Sequence, residues 1–410
     1  MQLGETTLAL SPARPRGSVW RRAVLGRLER IRSGTLLVDD AGGAVRLGRP
    51  APDGLSARIA VRNPRFWRRA ALGGSVGAGE SYADGDWEAD DLTSVVRVLA
   101  RNQAALSGME RGLAWARRPA DAAFAALRRN TRAGSRRNIA DHYDLGNDFF
   151  ALMLDPTLTY SCAVFDPPDA TLEEASRHKL DLMCARIELR PGDHLLEIGS
   201  GWGSMALHAA SRYGCRVTTT TISRAQWELV RERVARAGLE DRVTVLLSDY
   251  RDLGGRYDKV VSIEMIEAIG AEQYRTFFRK CAELLAPGGL LALQAITIAD
   301  QHFVQARREV DFIKRHVFPG SCIPSTTALL SAATRSSDLR LRQLEDYGPH
   351  YARTLAAWRA NLEARRVEVE RLTDERFRRL WSFYLGYCEG GFRERHVGLV
   401  QMIFARGAEE

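Results

Sequence analysis

Apolar and polar positions follow two rhythms along this chain, and the change of rhythm divides it. Residues 1–15 carry two prolines and no period, and read as frayed. Between residues 23 and 61 short β-prone runs (TLLVDD, GAVRLGR, SARIAVR) are separated by glycine turns, which predicts a small antiparallel unit. Residues 73–91 are rich in glycine and acid and read as a loop. Leu92, Val95, Val96, Leu99 and Leu106 then fall at helical spacing until Pro119 breaks the pattern. An Arg-rich polar stretch at residues 129–138 marks a boundary between an N-terminal domain, 1–130, and a second domain, 131–410.

From residue 191 the pattern becomes strand, loop, helix, repeated. HLLEIGSGWGS predicts a buried strand ending in a glycine turn, and MALHAASRYG a helix closed by Gly214. CRVTTTTIS is a second strand, followed by a helix capped by Ser223 and ended by Gly238. VTVLLSDY, YDKVVSIEMI and GGLLALQAITI supply three more strands, the last after a helix over residues 272–285. Strands alternating with helices of this length predict an α/β fold with a parallel sheet covered by helices.

Composition narrows the class. The 410 residues are 45% hydrophobic and 27% charged, ordinary globular usage. No apolar run reaches the roughly 18 residues of a membrane span, and residues 1–14 lack the order of a secretory signal. The six cysteines (Cys162, Cys184, Cys215, Cys281, Cys322, Cys388) show no CxxC pair, so neither a disulfide scaffold nor a metal is expected, and a reducing cytosol is. Charge is uneven: residues 1–137 hold 24 Arg and no Lys against 13 acids, a balance of +11, and the remainder is near neutral. Such a front half predicts a polyanionic partner. Arg62, Arg65, Arg68 and Arg69, with Phe66 and Trp67 to seat at the interface, are the candidates for a membrane surface. No nucleic-acid-binding motif accompanies the charge, so nucleic acid is not expected.

The glycine turn carries the first chemistry. Gly199 and Gly201 follow Glu197 as E-x-G-x-G, a spacing unlike the GxGxxG of dinucleotide folds and usual for the first motif of S-adenosylmethionine-dependent methyltransferases. Thr220 and Gln226 stand where a ribose-binding acid is common, and Asp249 and Tyr250 end the third strand, as partners for an adenine amino group and ring.

These blocks, taken with others, resemble the cyclopropane-fatty-acyl-phospholipid synthases. The likeness takes in residues 139–150 (IADHYDLGNDFF), 154–165 (LDPTLTYSCAVF), 262–270 (SIEMIEAIG), 312–325 (FIKRHVFPGSCIPS), 350–358 (HYARTLAAW) and 388–395 (CEGGFRER), in the expected order. It covers roughly residues 137–406, with a looser match before. The resemblance implies a Rossmann-like class I methyltransferase with a mostly parallel seven-stranded sheet and a smaller N-terminal domain. It implies methyl transfer to the cis double bond of unsaturated phospholipid acyl chains, then loss of a proton to a bound bicarbonate as the ring closes. It further implies that Cys162, Glu267, Tyr351 and the Ile296 backbone hold that anion. The cofactor contacts it implies are Tyr160, Ser161, Glu197, Gly199, Gly201, Thr220, Gln226 and Asp249, with Tyr143 on a lid. Phe150, Phe318, Tyr347, Trp358, Phe383 and Tyr387 would line an acyl tunnel. The expected setting is cytoplasmic, peripheral at the inner membrane face, with the N-terminal domain as membrane or homodimer contact.

Three positions depart from the family pattern: Gln294 replaces a further anion-binding His, Glu264 stands where Gly is frequent, and Ala268 where His often follows Glu267. Gln294 can donate a hydrogen bond but carries no charge. A second carboxylate at Glu264 disfavours an extra anion, so a base belonging to the protein is an alternative to bicarbonate. The same departures keep open a methylene- or methyl-branched product. An amine N-methyltransferase is the remaining enzymatic alternative.

Overall fold

The computed structural model describes residues 18–106, 124, 128, 130–132, 134, 135, 137 and 146–407. Seven strands form the main sheet: β5 (His194–Ile198), β6 (Arg216–Thr221), β7 (Val243–Leu247), β8 (Tyr257–Ile263), β9 (Leu285–Ile298), β10 (Arg340–Asp346) and β11 (Val397–Ala405). Their order is β10-β11-β9-β8-β5-β6-β7. The pairs from β9 through β7 are parallel, and β11 and β10 add two antiparallel pairs at one edge. All five strands expected from the sequence are present. The strand order reverses beside β5, which opens a crevice at the carboxyl ends of β5, β6 and β8, the usual ligand place in such a sheet.

The helices follow local chemistry. Ser223 accepts a hydrogen bond from the Gln226 N–H and starts Arg224–Arg236. Thr171 and Glu174 form a reciprocal capping box on Leu172–Arg186, and so direct that helix, with Lys179 inside it, against the core. Gly214, in the left-handed region, ends Ser204–Tyr213.

The N-terminal unit is a second sheet, β2-β1-β3-β4, built from β1 (Gly34–Asp40), β2 (Gly43–Arg49), β3 (Ser56–Val61) and β4 (Trp87–Ala89). It differs from expectation in three ways. Residues 19–28 are helical, and β3 runs parallel to β1. The glycine-rich segment is part of the helix Arg65–Ala83, kinked at Gly74. Its glycines mark close packing: a Cβ at Gly79 would lie 2.4 Å from the Phe312 ring and 2.8 Å from Phe383. The expected membrane patch is also reassigned. Phe66 and Trp67 are 6% and 3% exposed and belong to the core. Arg65 and Arg69 bond the buried Asp86, whose carboxylate must be met by donors once it leaves water, and Arg62 pairs with Glu88; Arg68 stays exposed.

The two units share one core. Leu92, Val95 and Val98 from Leu92–Arg101 cluster with Trp381, Phe383, Tyr384 and Leu385 of the helix Glu375–Arg393. Glu389, 2% exposed, accepts from the Thr93 hydroxyl, Arg359 and Arg393 at 2.8–2.9 Å, and Glu394 pairs with Arg97 and Arg101. The expected boundary at 129–138 falls where only part of the chain is described.

Gly79→Leu is therefore expected to lower stability by about 1–3 kcal/mol through overpacking. Gly26→Ala, in a helix with nothing within 4 Å of the added Cβ, should be neutral or stabilise by up to about 1 kcal/mol. Denaturant titration of both variants measures the contrast.

Candidate active site

Leu195, Leu196 and Ile198 bury the apolar faces of β5 around Glu197, and the chain must then turn sharply to enter the helix Ser204–Tyr213. Gly199 has φ +97°, and a Cβ there would meet the Met265 side chain at 3.1 Å. The turn is pinned to β6: the Gly199 and Ser200 N–H groups donate to the Thr220 carbonyl at 3.1 and 2.9 Å. It frames a cavity of about 1140 Å³, part of it open to solvent.

Nine of the ten residues expected to contact the cofactor line this cavity: Tyr160, Ser161, Glu197, Gly199, Gly201, Thr220, Gln226, Asp249 and Tyr250. The tenth, Tyr143, lies outside the described residues. The lining fits S-adenosylmethionine. The Gln226 amide nitrogen and the Tyr250 hydroxyl are buried without hydrogen-bond partners, and both residues face this space, where a nucleoside could meet them. The Gln226 carbonyl oxygen is already fixed by the Thr221 hydroxyl at 2.8 Å, which leaves its NH₂ as the free donor. Glu197 accepts from the Thr219 hydroxyl at 2.6 Å, and burial raises its carboxyl to about 8. Asp249, expected as a partner for an adenine amino group, also lines the cavity and is held by a neighbour. Both its oxygens accept from Arg251, and although burial alone would raise its carboxyl, those bonds hold it below its ordinary value.

At the cavity wall the five residues expected to form the anion site come together around two carboxyl groups, the half-buried Glu264 and the buried Glu267. Glu264, a cavity-lining residue, accepts from the Cys162 N–H at 2.9 Å, the Gln294 amide at 2.7 Å and the Tyr351 hydroxyl at 2.5 Å. The Glu267 carboxyl accepts from the Ile296 N–H, and its second oxygen is buried without a partner among the described residues. Burial first, then the neighbouring Glu264, raise Glu267 to about 8. Burial also raises Glu264, against the pull of its three donors. Two such acids titrate as a pair. The charge settles on Glu264, which has three donors, and the proton on Glu267, which has one.

Each partner is held in role. Tyr351 is 6% exposed rather than a surface aromatic, and burial raises its hydroxyl far enough that it stays a donor. Cys162 is fully buried with its thiol raised well above its usual value, so its contribution is the backbone N–H. Gln294 on β9 lies opposite Gln401 on β11, and the Gln401 amide donates to the Gln294 carbonyl oxygen at 2.8 Å. That bond turns the Gln294 NH₂ toward Glu264. Gln401 is in turn fixed by Arg186.

Bicarbonate does not fit this arrangement. The donors from Cys162 and Tyr351, and the amide at the position of the family histidine, already serve the Glu264 carboxylate, and Ile296 serves Glu267. Glu264 itself sits at φ +50°, where a residue bearing a Cβ is strained by about 1–2 kcal/mol and glycine is not.

Sequence reading missed Lys179, Gln401 and Arg186. Lys179 is 1% exposed, lines the cavity and donates to the Ser161 hydroxyl at 2.9 Å. Burial lowers its ammonium, with Glu264 among the charges opposing that. A signal existed: the chain has only four lysines against 55 arginines, so a lysine in the helix Leu172–Arg186 stands out. Of the expected acyl-tunnel aromatics, Phe150, Trp358 and Phe318 surround Tyr160 with ring centroids 5.2, 5.2 and 6.4 Å away. Phe383 and Tyr387 instead pack around Phe312 beside the N-terminal unit, and Tyr347 lies against Arg186. Helical spacing gave the same apolar signature to both groups. Among the described residues no cluster could hold a metal.

Comparison with known proteins places this geometry. The family described as mycolic acid cyclopropane synthetase matches residues 130–402. The tuberculostearic acid methyltransferase UfaA1 of Mycobacterium tuberculosis is 40% identical over 347 residues, 83% of this chain and 81% of the relative. The cyclopropane-fatty-acyl-phospholipid synthase of Escherichia coli is 36% identical over 356 residues, 86% and 89% of the two chains. The mycolic acid cyclopropane synthase CmaA1, solved with SAH and CTAB, has a TM-score of 0.62 and 32% identity, covering 66% of this chain and 98% of that one. A coclaurine N-methyltransferase, at 24% identity and a TM-score of 0.61, shares the fold. The chain thus belongs to the mycolic acid cyclopropane synthetase family, and it is an S-adenosylmethionine-dependent methyltransferase.

Proposed function

We propose that this enzyme methylates the cis double bond of an unsaturated phospholipid acyl chain and closes a cyclopropane ring by removing a proton. The observation that carries this reading is the carboxyl pair at the cofactor cavity, the half-buried Glu264 lining it and the buried Glu267 beside it. An acceptor that brings its own nucleophilic lone pair has little use for a base of this kind. An alkene does: it is neutral and weakly nucleophilic, adding a methyl leaves a carbocation, and only proton loss completes the product.

S-adenosylmethionine supplies an electrophilic methyl group when bound. The chain's residues would position it through the glycine turn, Thr220, Gln226 and Asp249, with Glu197 facing its positive charge. Tyr160 and Trp202 line the cavity, backed by Phe150 and Trp358, and offer a wall of ring faces that excludes water and stabilises positive charge on the acyl chain. The Tyr160 and Tyr384 hydroxyls, 3.0 Å apart, hold that wall in place. A phospholipid substrate puts the enzyme at a bilayer surface, reached from outside, because no helix among the described residues is long and apolar enough to cross one.

A second reading has specific support. The 40% identity with a tuberculostearic acid methyltransferase favours a branched chain: a methyl branch with a shifted double bond when the proton leaves a neighbouring chain carbon, or a methylene branch when a hydride shift first moves the charge to the methyl-bearing carbon. Mass analysis of lipids from cells expressing the protein separates the two. Both products gain one CH₂; the ring resists oxidative cleavage of double bonds and the methylene product does not. Unchanged lipids would refute both.

The site also predicts a proton balance. With its carboxyl raised to about 8, Glu197 is mostly protonated at pH 7 in the free enzyme. A bound sulfonium and ammonium favour the carboxylate, so the pKa falls and binding at pH 7 releases protons. The release should shrink toward pH 9, where the group is already ionised. Calorimetry of S-adenosylmethionine binding in buffers of different ionisation enthalpy measures it, and Glu197→Gln should remove it.

A further inference from the structure

We propose that the Glu264 carboxylate occupies the anion site in place of bicarbonate and is itself the base that takes the proton. This rests on the lipid methylation reading for its chemistry, but not for its occupancy. Three observations converge. The site's donors reach Glu264 from three separate elements: Cys162 from a loop, Gln294 from β9 and Tyr351 from the helix Gly348–Ala364. The residue adopts φ +50°, a conformation natural to glycine, and thereby places its carboxylate among those donors. The two departures at 264 and 294 meet: Gln294, oriented by Gln401, is within 2.7 Å of Glu264. A neutral amide there gives a built-in carboxylate a hydrogen bond without adding a titrating group.

The step balances. After methyl addition the positive charge sits on the acyl chain. A C–H bond of the newly added methyl group breaks, and its electron pair closes the ring onto the cationic carbon. For a methylene product a 1,2-hydride shift first moves the charge to the methyl-bearing carbon, and the same C–H pair then forms the π bond. The proton passes to Glu264, which becomes a neutral acid. Proton exchange with solvent returns it to the carboxylate before the next turnover. Lys179 supplies a buried positive charge opposing the carboxylate between turnovers, and Glu267 keeps its own proton, so the pair carries one negative charge.

The test uses the full-length enzyme, Glu264→Gln and Glu264→Gly. In buffer purged of CO₂ the wild-type enzyme should turn over lipid at an unchanged rate, within twofold of that with added bicarbonate. Glu264→Gln should keep its S-adenosylmethionine affinity and lose about 10²–10⁴-fold in turnover, with no recovery on adding bicarbonate. Glu264→Gly relaxes the backbone and empties the site; it should lose as much in purged buffer and regain at least tenfold with bicarbonate. Carbon-13 line broadening of labelled bicarbonate should show binding to Glu264→Gly and none to the wild type. Bicarbonate binding or dependence in the wild type would overturn the proposal, as would near-normal turnover by Glu264→Gln. Should the wild type transfer no methyl to lipid, the substrate reading fails by itself. The broadening experiment then decides occupancy, support coming from binding by Glu264→Gly alone.

Discussion

A carboxylate taken out of water has to be met by donors, and in this enzyme that requirement organises the reacting end of the site. The Glu264 side chain gathers a backbone N–H, an amide and a phenol from parts of the chain more than a hundred residues apart at the extremes. Leaving any of these groups unpaired in so dry a place would cost about 1–3 kcal/mol, so each fixes the others. The loop that carries Cys162 also carries Tyr160 and Ser161 to the cofactor cavity. Anchoring the carboxylate thus fixes its position relative to the cofactor cavity that Tyr160 and Ser161 line.

Much of this was legible in the sequence because it follows from local pattern. The alternation of apolar strands with capped helices foretold β5 to β9, and the E-x-G-x-G turn foretold where the cavity opens. The departures at Glu264, Gln294 and Ala268 were visible as odd residues, but spacing cannot say that two of them touch. Contacts across sheets are beyond it too: Gln401 on β11 matters only because antiparallel pairing with β9 places it opposite Gln294. Lys179 was hidden because a single lysine in a helix normally reads as solvated. The glycine-rich segment after residue 73 misled for a physical reason, since glycine is equally suited to turns and to helices approached closely by aromatic rings.

The charge of the N-terminal unit has a double use. Several of its arginines neutralise acids that the unit itself buries or half-buries, as Arg21 does with Asp40 and Arg65 with Asp86. Others reach across to Glu394. A raw count therefore overstates the positive charge left free at the surface. Arg68 is exposed, while Phe66 and Trp67 hold the unit's interior.

The helix Glu375–Arg393 has neighbours of two kinds. One side receives Leu92, Thr93 and Val96 from the N-terminal unit, so closely that a Cβ at Gly390 would lie 2.6 Å from Val96. Another carries Trp381 and Tyr384 to Phe150 and Tyr160. The helix is thus a shared beam: a substitution that shifts it on the side of Leu92 and Val96 must also move the rings it holds against Phe150 and Tyr160 on the other.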